Sequence, residues 1–65
     1  MQLKVTLDLD NDAFGSTQFE RTEEIEKCLL RLVQTVKSRW VSDGETYKIY
    51  DSNGNSVGFA FIIGE

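Results

Sequence analysis

The sequence predicts an α+β domain of order β-α-β-β, a three-stranded, mostly antiparallel sheet with one helix packed on one face. Three observations predict it. Strict alternation opens the chain, helical periodicity fills its middle, and two strand-like runs close it around an Asn-Gly turn. The 65 residues have room for a single domain spanning 1–65.

The first strand is read over Gln2 to Asp10. Leu3, Val5, Leu7 and Leu9 fall on one side, Lys4, Thr6, Asp8 and Asp10 on the other. That period of two marks a half-buried strand. Asp10-Asn11-Asp12 stops it, because short polar side chains bond their own backbone in turns.

Thr17 with Glu20 three residues on fits a capping box, and Thr22 is a second possible start. Helical spacing then runs to about Arg39. Ile25, Leu29, Leu32 and Val36 form an apolar stripe that Cys28 and Val33 widen and that Phe19 and Trp40 extend. Leu30 falls outside it. Glu20, Glu23, Glu24 and Glu26 precede Lys27, Arg31, Lys37 and Arg39, an order that complements the helix dipole. Ser42-Asp43-Gly44 turns the chain, with Gly44 as a left-handed position.

Two strands follow, Thr46 to Asp51 and Ser56 to Ile63. A two-residue loop at Asn53-Gly54 would set Lys48 among Val57, Phe59 and Phe61. A three-residue loop, Ser52-Asn53-Gly54, pairs Asp51 with Asn55 and places Gly54 in a bulge. Ile49 then faces Val57 and Tyr47 faces Phe59, so one side becomes uniformly apolar. This register gathers Tyr47, Ile49, Val57, Phe59 and Phe61 under the helix. It leaves Tyr50, Ala60 and Ile62, beside Gly58, on an open face. The last strand is the most apolar and is expected at the centre of the sheet.

Composition excludes several chemistries. Lys and Arg number 7 against 11 Asp and Glu, a net charge of −4 that argues against direct nucleic-acid binding. The chain has one cysteine and no histidine, so an internal disulfide and a zinc site are both excluded. Cys28 lies on the apolar stripe and reads as a core thiol without a base beside it. Asp8-x-Asp10-x-Asp12 and Asp51-x-Asn53-x-Asn55 imitate calcium loops. Both lack the Gly and Glu an EF-hand needs at its sixth and twelfth positions, so both read as turns. The expectation is no enzyme and no cofactor. No stretch matches the length of a membrane span, and Met1 leads straight into the strand pattern, which sets a cytoplasmic expectation.

"LKVTLDLDNDAF" at the start and "YDSNGNSVGFAF" near the end, flanking one helix, resemble short bacteriophage and prophage accessory proteins with D-N-x-A-F and D-x-N-G-N-x-V-G motifs. That resemblance implies a phage accessory product in a bacterial host cytoplasm, of the sort that binds and blocks a host machine, as anti-CRISPR proteins do. The expected function is non-catalytic binding, and inhibition, of a host protein or defence complex. Two surfaces are candidates: an acidic end formed by Asp8, Asp10, Asp12, Glu20, Glu23 and Glu24, which suits a basic partner surface, and the open face with Tyr50, Ala60 and Ile62. The alternative is a self-associating adaptor, such as a homodimer, that uses the open face or an edge strand.

Overall fold

The computed structural model describes residues 1–64. Strand β1 covers Gln2–Leu7, a 3-10 turn covers Asp12–Phe14, helix α1 covers Gln18–Arg39, and strands β2 and β3 cover Thr46–Tyr50 and Ser56–Ile63. The sheet order is β1-β3-β2, and both pairings are antiparallel. The chain is therefore an α+β fold of order β-α-β-β with its most apolar strand at the centre.

Each boundary has a local cause. β1 ends three residues before Asp10, because the Asp8 carboxylate turns to accept the Asp10 N–H at 3.0 Å. Asn11 then caps the 3-10 turn, its side-chain oxygen accepting the Ala13 N–H. That turn drops Phe14 into the core, where it is fully buried. Alternation and helical periodicity both miss Phe14, because it stands in neither element.

The capping box at Thr17 and Glu20 forms in full, with Thr17 Oγ1 accepting the Glu20 N–H and the Glu20 carboxylate accepting the Thr17 N–H. The Ser16 N–H bonds to the same carboxylate and, with the Thr17 hydroxyl and N–H, holds it below its ordinary value of 4.5. A lowered folded value stabilises the native state above the ordinary carboxylate range, and the contribution is lost as pH falls through the folded value. Glu20→Gln keeps the cap but removes its titration. Its urea midpoint should therefore fall less than the parent's between about pH 7 and about pH 3.

The hairpin closes as the three-residue loop requires. The Asp51 N–H donates to the Asn55 carbonyl, the Gly54 N–H donates to the Asp51 carbonyl, and Gly54 takes φ +84. The Asp51 carboxylate accepts both the Asn53 and Asn55 N–H groups. One residue later the expected register fails. Tyr50 pairs with Ser56, but Ile49 pairs with Gly58, so Val57 is an extra residue on β3. Tyr47 consequently faces Ala60 and Lys48 faces Phe59. Beyond the bulge every side chain is turned over relative to the simple register. Ala60 and Ile62 are buried beneath the helix, while Phe59 is on the open face. Volume supplies the reason. Tyr47 is fully buried in the layer between helix and sheet, and the small Ala60 opposite leaves it room that a phenylalanine in that place would take.

The helix is also rotated from its expected stripe. Glu24, Cys28 and Leu32 face the core, and Ile25 and Val36 pack against its margin. Leu29 and Val33 are exposed on one flank, and Phe19 and Trp40 are exposed at the two ends. Leu30 is exposed, as its place off the stripe predicts. α1 packs on β2 and on the 3-10 turn. It stops at Trp40, whose φ of 67 and ψ of 164 lie in a region ordinarily held by glycine. The Tyr47 hydroxyl donates to the Trp40 carbonyl at 2.8 Å and fixes that end.

Candidate docking surfaces

The acidic end is only partly a free surface. Glu24 is 4% exposed. Its carboxylate accepts the Ser52 N–H at 2.8 Å and the Ser52 hydroxyl at 2.7 Å, tying α1 to the hairpin loop. Glu24 is thus a structural latch and not a partner contact. Glu20 is engaged by the helix cap and Asp8 by its own turn. Asp12, Glu20 and Glu23 do come together with Lys27 around one shallow depression. Asp8 and Asp10 stand outside it. Among the described residues, no three Asp, Glu, Cys or His side chains are grouped to hold a metal ion.

The open sheet face differs in composition from the expected one. Ala60 and Ile62 belong to the core, as the bulge requires, so neither can contact a partner. Tyr50 remains on this face and is exposed. The places assigned to Ala60 and Ile62 are taken by Phe59 and Phe61, whose rings lie 5.9 Å apart and stack at 25°. Lys4 pairs across from Phe61, and Lys48 from Phe59. The alternation of the three strands puts no carboxylate on this face. A cationic rim therefore surrounds an aromatic strip in a chain of net charge −4.

A second apolar surface lies on the helix side. The register puts Leu3 and Val5 on the same face as Ile62 and Ala60. They should be covered, yet they are 47% and 43% exposed. The cause is the placement of α1 over β2, which leaves the β1 side of the sheet bare. At 100° per residue, Leu29 and Val33 lie on the helix flank opposite Arg31 and Thr35. Arg31 reaches the Tyr50 carbonyl beside β2 at 3.1 Å, so Leu29 and Val33 face the β1 side.

Burial, and then the Glu24 charge, push the Cys28 thiol upward, keeping it protonated. Its sulfur contacts the Glu24 carboxylate at 3.8 Å and the Tyr50 carbonyl at 3.6 Å. No helix among the described residues is long and apolar enough to cross a membrane. The D-N-x-A-F and D-x-N-G-N-x-V-G segments both serve the fold, supplying the 3-10 cap, buried Phe14, the hairpin turn and the bulge. Comparison with known proteins finds no matching family model, no matching curated protein and no matching solved structure.

Proposed function

We propose that this chain is a non-catalytic binding module that docks on another protein, with a host protein or defence complex as the target in the phage setting that its two ends suggest. One observation carries the reading. A single helix placed over β2 leaves large apolar side chains exposed in rows on both faces of the sheet, Leu3 and Val5 on one and Phe59 at 45% exposure on the other. Single exposed apolar residues are ordinary on monomers, but aligned rows with a polar rim are typical of contact surfaces. Trp40 adds to this, since it is 80% exposed and held in a strained backbone conformation.

The test is affinity capture from bacterial lysate with the parent and with two folded variants, Phe59→Ser/Phe61→Ser and Val5→Ser/Val33→Ser. At least one variant should lose the captured protein while keeping its circular dichroism. Capture unchanged in both would overturn the reading. Charge reversal at Asp12 and Glu23 separates out a contribution from the acidic end.

Self-association is the second reading, favoured by β1. It is an edge strand without proline, and its helix-side residues Leu3 and Val5 are exposed. Sedimentation equilibrium should then show a dimer that Val5→Lys dissociates. A parent that stays monomeric at high concentration removes this reading.

A further inference from the structure

The edge opposite β1 carries a groove that shares only Lys48 and Tyr50 with the docking surfaces above. It lies between α1 and β2 and encloses about 670 Å³. Leu32 and Ile49 form its apolar floor, and Arg31, Arg39 and Lys48 stand around it. Three of the chain's 7 basic residues therefore surround one groove in a protein of net charge −4. Arg39 is paired with Glu45 and lies 5.2 Å from the Tyr47 ring centre, which fixes its guanidinium at the groove's end. No carboxylate side chain lines the groove itself.

The strand beside this groove is an edge of the sheet, paired on its outer side only at the Tyr50 carbonyl, which accepts from Arg31. The Ile62 N–H donates to the Glu45 carbonyl, and the Asp51 N–H donates to the Asn55 carbonyl. Antiparallel bonding alternates, so residues 45, 47, 49 and 51 direct their backbone at β3. The amides and carbonyls of Thr46 and Lys48 therefore point away from the sheet. These are the donors and acceptors with which an extended peptide adds a strand.

We infer that the groove accepts an acidic, extended segment of the partner protein, added antiparallel or parallel to β2 as a fourth strand. The inference rests on the binding function proposed above and names the chemistry of the segment. Charge selects this occupant. A second copy pairing β2 with β2 would bring Lys48, Arg31 and Arg39 against the same cations, which like-charge repulsion disfavours. A segment alternating carboxylate and β-branched residues instead places its acids by Lys48 on one face and its apolar side chains over Ile49 on the other, with Arg31 and Arg39 adding positive charge along the groove.

The test uses a fluorescein-labelled heptapeptide of alternating Glu and Val, with a Lys-Val heptapeptide as the control. Fluorescence anisotropy should detect binding of the Glu peptide alone, weakened by about tenfold or more at high salt. Arg31→Glu/Lys48→Glu, checked for native circular dichroism, should weaken it by about tenfold or more. In the complex the Thr46 and Lys48 amides should gain protection from hydrogen exchange. Equal binding by the charge-reversed variant, protection on β1 instead of β2, or displacement by an equally charged single-stranded oligonucleotide would each overturn the inference. Absence of peptide binding would also overturn it, while leaving the proposed function standing wherever the Phe59 or Val5 variants still lose their captured partner.

Discussion

Replacing Gly58 by alanine should destabilise the protein by about 3 kcal/mol or more, enough to unfold much of a small domain whose total stability is of order 5 kcal/mol. Gly58 sits on the central strand between Leu7 of β1 and Ile49 of β2, at the point where the bulge returns the chain to register. A Cβ built there lies 2.0 Å from the Thr6 carbonyl oxygen and 3.1 Å from the Leu7 Cα. These are backbone atoms of a paired strand, so no side-chain rotation relieves the clash. β1 must move away, and the β1–β3 ladder is lost with it. Gly44→Ala is the control. Gly44 has φ +85 but nothing within 4 Å of its Cβ position, so strain alone acts there, at about 1 kcal/mol. Urea denaturation of both variants measures the contrast. A Gly58→Ala protein within about 1 kcal/mol of the parent would show that the close approach does not exist.

The same strand shows where reading the sequence succeeds and where it stops. Turn and cap chemistry are local, so Thr17, Glu20, Asp51 and Gly54 announce their roles through residue type and spacing alone. The order of elements and the central place of β3 also follow from periodicity and apolar content. The bulge is different. Alternation over Ser56 to Ile63 favours burying Val57, Phe59 and Phe61, and what overrides it is the volume of Tyr47 in a layer that only the folded molecule possesses. Shifting one residue exchanges Ala60 and Ile62 for Phe59 and Phe61, so the sequence predicts the open face and its Tyr50 but not the two phenylalanines. The acidic end shows a related blindness. A glutamate in a run of glutamates reads as solvated, and no local signal separates Glu24 from Glu23. What separates them is Ser52, twenty-eight positions away in sequence, whose N–H and hydroxyl reach the Glu24 carboxylate.

That long-range contact leads to the second large effect. Glu24→Ala should cost about 2–4 kcal/mol, because it removes charge-assisted bonds between helix and hairpin loop and empties a buried side-chain site. Among the described residues no cation stands within ion-pair distance of this carboxylate. Among the described residues the ion pair is Arg39 with Glu45, at the other end of the helix. Hydrogen-bond donors alone hold the charge, which makes each of them count. Glu24→Gln retains an acceptor of nearly the same shape and should cost less, about 1–2 kcal/mol. Ser52→Ala should cost about 1 kcal/mol, since its N–H still reaches Glu24. A double-mutant cycle of Glu24→Gln with Ser52→Ala should give a coupling of order 1 kcal/mol. Hydrogen exchange at the Ser52 amide provides a second measure, because Glu24→Ala should open the hairpin loop even where the core persists. Additive costs and an unchanged Ser52 exchange rate would mean that the latch carries no load. If it holds, the function of the latch is positional. It anchors the helix over β2 rather than over the middle of the sheet, and that offset is what leaves Leu3 and Val5 uncovered and sets Arg31 beside the free edge of β2.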